Sequence, residues 1–239
     1  MTNSILVLGV GPSNGLGAAI ARRFAREGYH TFIVGRDGER LGRVAAECGE
    51  TVTALPGDAT DRDAVARIFD AVEAEAGVPT VVAYNAGNNR RIPFFDLDEA
   101  TFTNFWRTCC LGGFLVGQEA ARRMLTRGSG TITFTGASAS RRGRPGFAHF
   151  AAGKAAIKAV AEAMAREFGP QGLHVAHVII DGGINGERLL SRVPEMAKER
   201  GEDGLLGIEH IAETFWQLHA QHPSAWTFET ELRPYKERF

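Results

Sequence analysis

The segment GVGPSNGLG, residues 9–17, lies between an apolar run at 5–8 and an amphipathic stretch at 16–27. The apolar run predicts a buried strand and the amphipathic stretch predicts a helix. Glycines between such a strand and helix permit positive φ angles and let the backbone approach a diphosphate at the helix N-terminus. A plain tight turn is the alternative, but the strand–turn–helix context favours dinucleotide binding. The residues expected to take part are Gly11, Ser13, Asn14, Gly15, Leu16 and Gly17.

The rest of the chain alternates apolar runs with amphipathic stretches. Further strands are predicted at 30–34, 51–55, 80–84, 131–135 and 174–180, and a last one within 225–232. This pattern predicts an α/β protein, a single-domain Rossmann fold over residues 1–239, with a doubly wound parallel sheet of about seven strands. Residues 183–207 lack clean periodicity and are expected to form a substrate-covering segment, with a solvated loop containing helical turns as the alternative.

Composition limits the classes of function. The 239 residues are 44% hydrophobic and 23% charged, with a formal net charge of −1, which gives no electrostatic reason to expect nucleic acid or an anionic membrane as partner. A small molecule is the expected ligand. No apolar stretch reaches about 18 residues and the N-terminus has no basic leader, so a cytoplasmic protein is expected. Cys48, Cys109 and Cys110 fit neither a disulfide framework nor a metal site, and are expected to be reduced thiols.

The end of the second predicted strand indicates which dinucleotide is preferred. Gly35 occupies the place where an NAD site presents a carboxylate to the ribose, and Arg36 follows it. A guanidinium can bind a 2′-phosphate through two hydrogen bonds, whereas a carboxylate would repel it. NADP(H) is therefore favoured. Asp37 keeps NAD(H) possible, and an ordinary solvated Arg36 is the alternative.

Several motifs together resemble the short-chain dehydrogenase/reductase family along nearly the whole chain. The glycine spacing is that family's variant of the turn, Asp58 follows the third strand, and Asn85-Ala86-Gly87 follows the fourth. The resemblance implies that Asp58, with Ala59, contacts the adenine, and that the Asn-Ala-Gly motif supports the cofactor site. It also implies a homodimer or homotetramer formed through the long helices near 103–127 and 151–167.

The same resemblance exposes missing catalytic residues. Family members carry a tetrad of asparagine, serine, tyrosine and lysine, which falls here on Cys109, on Ala137 or Ser138, on Phe150 and on Lys154. Phe150 matches an atypical subset of the family with phenylalanine in place of tyrosine, and a phenyl ring cannot donate a proton. Lys154 is expected to hold the nicotinamide ribose. The stretch after the sixth strand also lacks the family's nicotinamide-contacting threonine.

Other side chains are candidates for the missing functions. His149 precedes Phe150 and is either a substitute proton donor or a surface or capping histidine. Arginines in two loops are either cations beside an acidic substrate or solvated charges: Arg90, Arg91, Arg141, Arg142 and Arg144. His177 and Asp181, at the end of the sixth strand, are either ligand contacts or core residues.

Two functions are compatible with these residues. The first is an atypical NADP(H)-dependent oxidoreductase that transfers hydride to or from a small carbonyl, imine or activated alkene, with Ser138 hydrogen-bonding the substrate. The second is a nucleotide-binding protein without redox turnover, which senses the cofactor, binds a partner or catalyses a non-redox reaction. Losing a positioned general acid costs about 10²- to 10⁴-fold in rate, so Phe150 is the residue on which the choice depends.

Overall fold

A computed structural model describes residues 3–237; the ends of the predicted domain, 1–2 and 238–239, lie outside the described residues. Seven parallel strands form the main sheet of this part of the chain, in the order β3-β2-β1-β4-β5-β6-β9. The predicted doubly wound Rossmann sheet is thus confirmed. The strands are β1 Ser4–Leu8, β2 His30–Gly35, β3 Val52–Pro56, β4 Val81–Tyr84, β5 Gly130–Thr135, β6 Leu173–Ile180 and β9 Glu229–Leu232.

Helices cover both faces of the sheet, which explains why its central strands are continuous apolar runs. In β1, Ile5 and Val7 join one apolar core while Leu6 and Leu8 join the other. The first core is closed by α1 Leu16–Arg26, α2 Gly38–Cys48 and α9 Ile208–His219. The second is closed by α3 Arg62–Ala76, α5 Gly112–Arg127 and α6 Ala148–Phe168.

The helix expected near 103–127 is longer than predicted and has a local change of pitch. It begins as α4, Glu99–Trp106, where the Asp98 side chain caps the N-terminus by accepting from the Thr101 amide at 2.7 Å. A π-helical stretch, Arg107–Leu111, then connects α4 to α5. This stretch contains the buried Cys109 and Cys110, and the three cysteines form no disulfide, as the sequence predicts.

Residues 183–207 are folded rather than irregular. Two short strands, β7 Ile184–Asn185 and β8 Leu206–Gly207, pair in parallel and bring the two ends of the segment together. Between them lie α7 Glu187–Leu190 and α8 Pro194–Arg200. We call residues 183–207 the covering segment.

The order of the strands determines where a ligand can bind. β1 lies between β2 and β4, so the chain leaves β1 in one direction along the sheet and returns on its other side. Loops after β1 and β4 therefore separate at the carboxyl ends of these strands. In open α/β sheets the crevice at such a switch point is the usual ligand site.

Candidate cofactor and active site

A cleft of about 460 Å³ opens at the carboxyl ends of β1, β2 and β4. The glycine turn forms its floor, the ends of β2 and β3 form one side, and the loop after β4 with the covering segment forms the other. Six of the residues expected to bind a dinucleotide line it: Gly11, Arg36, Asp58, Ala59, Ala86 and Gly87.

The glycine turn packs closely on the neighbouring strand ends and leaves room for a ligand at one point. Gly9 has φ +89°, and a Cβ on it would lie 2.3 Å from the Ala86 nitrogen. A Cβ on Gly35 would lie 2.5 Å from the Val10 carbonyl oxygen. At Gly11, by contrast, the nearest atom to a Cβ would be a guanidinium nitrogen of Arg188, 4.0 Å away. The turn is thus fixed from below while its backbone at Gly11 faces open space.

The start of α1 suits an anion. Gly15 is the N-cap residue in an extended conformation, no side chain caps the helix, and the first turn contains no acidic residue. Amide groups at such a helix start have no partner within the helix and carry the positive end of its dipole. A diphosphate at this point would therefore fit, as the sequence predicts.

The remaining predicted cofactor residues lie around the cleft rather than in its lining. Gly17 packs below the turn, where a Cβ would lie 3.0 Å from the Gly9 carbonyl oxygen. The Asn85 amide donates to that same oxygen at 3.2 Å, and its side-chain oxygen accepts from the Thr135 hydroxyl at 3.1 Å. Ser13 and Asn14 line a separate open depression on the other side of the turn. Asn85 therefore ties the ends of β1, β4 and β5 together.

Two arginines lie at the β2 end of the cleft. Arg36 is exposed and lines it together with Arg40, which the sequence analysis missed although it lies in the first turn of α2. Asp37 accepts a hydrogen bond from the Arg40 amide at 3.0 Å as the N-cap of α2, and its carboxylate lies 3.5 Å from the Arg40 guanidinium. The one nearby carboxylate that kept NAD(H) possible is therefore engaged by its own helix.

Asp58 shapes the far side of the cleft. Its carboxylate accepts from the Thr60 amide at 2.8 Å and from the Thr60 hydroxyl at 2.9 Å. These bonds fix the loop after β3 and leave the backbone of Asp58 and Ala59 in the lining. An adenine contact from this loop is thus sterically open.

Lys154 and Phe150 lie one helical turn apart on α6, as the sequence predicts. The Lys154 ammonium is buried and donates to the Thr135 carbonyl oxygen at 2.6 Å, and it lies 5.9 Å from the centre of the Phe150 ring. A Cβ on Gly87 would lie 3.3 Å from this ammonium and 3.9 Å from the Cys109 sulfur. Burial lowers the pKa of Lys154, as does the nearby Arg188 cation, while Cys109 acts in the opposite direction. Lys154 and Cys109 thus lie against Gly87 beside the cleft, and the Phe150 ring lies near the lysine.

The serine position stays open between Ala137 and Ser138. Both are half-buried, and the Ser138 carbonyl oxygen accepts from the Arg141 amide at 3.0 Å in a tight turn. The serine that the sequence analysis missed is Ser140, whose hydroxyl lies 3.3 Å from Nε2 of His177. Nδ1 of His177 lies 3.0 Å from the Glu229 carboxylate. His177 is therefore a hydrogen-bonded core residue, the second of its two predicted alternatives.

His149 is neither a surface nor a capping residue, so that part of the prediction is wrong. α6 begins at Ala148 with Phe147 as its N-cap, and the His149 side chain is fully buried with its ring 4.3 Å from that of Phe105. Burial lowers the pKa of His149 against the opposing effect of the Arg90 backbone. Its ring therefore faces the α4 side, and Phe150 takes the face shared with Lys154.

Two of the five candidate arginines are exposed but held in ion pairs. Arg141 forms ion pairs with Glu229 at 2.9 Å and Glu231 at 2.5 Å. Arg142 pairs at 3.0 Å with the buried Asp181, which also pairs with Arg233. Because both arginines and Asp181 hold the loop after β5 to the β6–β9 edge, they are not available to a substrate. Arg90, Arg91 and Arg144 are exposed.

The covering segment contacts both sides of the cleft. The Glu187 amide donates to the Asn14 carbonyl oxygen at 2.8 Å. From the same short helix, Arg188 donates to the Gly87 carbonyl oxygen at 2.7 Å, and Arg192, just after that helix, donates to the Asn89 carbonyl oxygen at 3.0 Å. The sequence analysis did not identify either arginine, since aperiodic sequence gives no indication of where a side chain points.

Residues 3–237 contain neither a candidate metal site nor a candidate membrane span. Over residues 3–237, no group of three or more histidine, cysteine, aspartate or glutamate side chains is arranged to hold a metal ion. Within the same residues, no helix combines the length and apolar character needed to span a membrane.

A Rossmann sheet with a glycine turn at its switch point and arginines along the cleft defines a dinucleotide-binding protein. Comparison with known proteins agrees. The family model for short chain dehydrogenase matches residues 5–190. Gluconate 5-dehydrogenase of Gluconobacter oxydans is 33% identical over 170 residues, which cover 69% of this chain and 66% of that protein.

Two further similarities cover more of the chain. A crystal structure of a short-chain dehydrogenase from Rhodopseudomonas palustris is 37% identical, covers 98% of this chain and 99% of its own, and superposes with a TM-score of 0.82. The cyclic-di-GMP-binding biofilm dispersal mediator protein of Escherichia coli is 31% identical over 182 residues, 75% of this chain and 73% of that protein. The chain belongs to the short-chain dehydrogenase family of oxidoreductases, whose members bind NAD(P)(H).

Proposed function

We propose that this protein is an NADP(H)-dependent oxidoreductase that works without the family's tyrosine acid. The observation that carries the cofactor preference is the β2 end of the cleft, where Arg36 and Arg40 face the ligand space while Asp37 is engaged as a helix cap. Two guanidinium groups suit a 2′-phosphate, and the adjacent Gly35 presents no carboxylate to a ribose.

The remaining cofactor contacts follow from the geometry. The amides of the glycine turn and of the α1 start would bind the diphosphate, and Asp58 with Ala59 would flank the adenine. Lys154, now bonded to the Thr135 carbonyl oxygen, lies behind Gly87, where its ammonium would donate to the hydroxyls of the nicotinamide ribose. The bound cofactor would supply or accept hydride; the protein supplies position and charge.

The substrate class follows from the absence of an acid at position 150. An iminium carbon is already electron-poor and accepts hydride without a proton donor, and an activated alkene can be protonated afterwards by water. A carbonyl needs a proton during the transfer, and Phe150 cannot give one. We therefore place imines and activated alkenes ahead of carbonyls among small-molecule substrates. Ser138 remains the proposed hydrogen-bonding partner of the substrate.

The test has two stages. Binding of NADPH and NADH is measured by fluorescence, and the absorbance of the reduced cofactor is followed with panels of imines, enones and carbonyls. We expect tighter NADPH binding and oxidation by an imine or an enone. Failure of both dinucleotides to bind would refute the proposal.

The variant Phe150→Tyr tests the role of the missing acid. Because a positioned acid contributes about 10²- to 10⁴-fold, we expect the variant to gain carbonyl reduction over the wild type. Phe150→Leu, which removes the ring without adding a hydroxyl, is the matched control and should gain none. No gain with tyrosine would show that the pocket no longer supports carbonyl chemistry.

A second function is supported by the substitutions at Cys109 and Phe150. With two tetrad positions lacking their usual polar groups, the protein could bind NADP(H) without turnover and act as a sensor. One relative, 31% identical, is named as a cyclic-di-GMP-binding mediator protein. That name describes binding rather than a reaction. Tight NADPH binding with no oxidation by any panel would favour this function. The cytoplasmic location expected from the sequence stays a prediction.

A further inference from the structure

Arg188 occupies a position in the cleft that no sequence motif indicates. It belongs to α7 of the covering segment, and its guanidinium donates to the Gly87 carbonyl oxygen at 2.7 Å. A second guanidinium nitrogen lies 4.0 Å from where a Cβ on Gly11 would be. One side chain thus reaches from the covering segment across the cleft to both the loop after β4 and the glycine turn.

The electrostatic surroundings of Arg188 are strongly positive. Burial lowers the pKa of Arg188, and the cations of Arg192 and Arg40 lower it further. The Arg188 charge also lowers the pKa of Lys154. Among the residues that the structure describes, Arg188 forms no ion pair, whereas Arg22, Arg23 and Arg123 each pair with a carboxylate. Arg188 and Arg192 both line the cleft without an ion pair among the described residues, and two such guanidinium groups favour an anionic ligand even though Asp58 and Glu187 also line it.

We infer that Arg188 binds the diphosphate of the dinucleotide, at the phosphate on the nicotinamide side, and holds the covering segment over the bound cofactor. This inference rests on the proposed function. The phosphate on the nicotinamide side is favoured because Arg188 is bonded to Gly87 and lies near Lys154, which is proposed to hold the nicotinamide ribose. The 2′-phosphate is left to Arg36 and Arg40, at the β2 end of the cleft.

With Arg188 in this role, the cofactor is bound from the side of the cleft opposite to the glycine turn as well. The glycine turn and the start of α1 offer amides from one side only. The family's threonine is missing after β6, and the covering segment presents a guanidinium instead. Arg188 would exchange its hydrogen bond to a neutral carbonyl oxygen for hydrogen bonds to a phosphate, in which donor and acceptor are both charged.

The experiment measures dissociation constants of NADPH, NADH and 2′,5′-ADP for wild type and for Arg188→Gln, Arg188→Lys and Arg36→Gln. Arg200→Gln is the matched control, since it removes the same charge from the covering segment at a residue that pairs with Glu237 and does not line the cleft. Thermal unfolding without ligand checks that each variant is folded. Arg188→Gln is expected to change the unfolding temperature little, because the Arg188 side chain makes one hydrogen bond to the protein.

We expect Arg188→Gln to raise the dissociation constants of NADPH and NADH by the same factor, about tenfold or more. The dissociation constant of 2′,5′-ADP should stay unchanged, because that ligand lacks the phosphate on the nicotinamide side. Arg188→Lys should retain part of the affinity. Unchanged dinucleotide binding in Arg188→Gln would overturn the inference and leave the proposed function intact. So would an equal loss in Arg200→Gln, which would indicate a general charge effect. Failure of the wild type to bind either dinucleotide would refute the proposed function itself.

Discussion

The proposed preference for NADP(H) rests on single side chains. Arg36 lies at the end of β2 with its guanidinium exposed along the cleft, and no ion pair engages it in the described chain. Asp37, its neighbour, would compete for the same ribose position only if its carboxylate left the N-terminus of α2. An N-cap bond of this kind is worth about 1 kcal/mol, so the cap favours the arrangement that leaves Arg36 facing the ligand.

Arg36→Gln should therefore weaken NADPH binding by about tenfold or more while leaving NADH binding nearly unchanged, because only NADPH carries the 2′-phosphate. The comparison of the two dissociation constants for one variant is the measurement. Arg43→Gln, on the following helix α2 and paired with Glu39, serves as the matched control. An equal loss for both dinucleotides would mean that Arg36 does not contact the 2′-phosphate.

Two helices carry exposed aromatic rings that could form the expected oligomer interface. On α4, Phe102 and Trp106 lie four residues apart, so both point to the same side, and each leaves more than a third of its surface exposed. Phe114, on the first turn of α5, adds a third exposed ring. Apolar rings grouped on adjoining helices mark an interaction surface more often than scattered ones do. The expected homodimer or homotetramer thus has a candidate surface on α4 and α5.

Trp106→Glu should convert the assembled protein to a smaller species, because burying the new carboxylate against a second copy would cost far more than solvating it. Light scattering coupled to size-exclusion chromatography gives the mass directly. Tyr235→Glu, an equally drastic change at a ring that is 79% exposed near the other end of the described chain, is the control. If the wild-type protein is monomeric at high concentration, α4 and α5 do not form an oligomer interface.

The whole molecule shows which of its features sequence patterns can predict. The strands, the helices and the glycine turn follow from periodicity and glycine spacing, since each depends on residues close together in the chain. The sequence likewise placed Phe150 and Lys154 on one helical face. Contacts between distant residues could not be predicted: Arg188 bonded to Gly87, Ser140 near His177, and Arg142 paired with Asp181. His149 shows the same limit, because its burial depends on Phe105 packing from α4.

Buried histidines across the fold should make its stability depend on pH. Burial lowers the pKa of His177 to about 4 in spite of Glu229, and lowers that of His219 to about 4 as well. Their unfolded pKa is about 6.5, so below that pH the unfolded chain binds protons that the folded protein does not. The free energy of unfolding should therefore fall as the pH drops from about 6.5 towards about 4, by about 2 kcal/mol for each histidine at pH 5.

Urea unfolding at a series of pH values measures this dependence. His219→Gln should reduce the slope of unfolding free energy against pH between about 6.5 and 4, since one of the protons taken up by the unfolded state is then missing. The substitution removes ring contacts with Tyr29 and Thr131, so the absolute stability will also fall, and the slope is the informative quantity. His222→Gln, at an exposed histidine, should keep the wild-type slope. A wild-type free energy of unfolding that stays constant across this range would contradict the prediction. It would mean that these histidines gain their protons in the folded state, because water or a neighbouring carboxylate reaches them there.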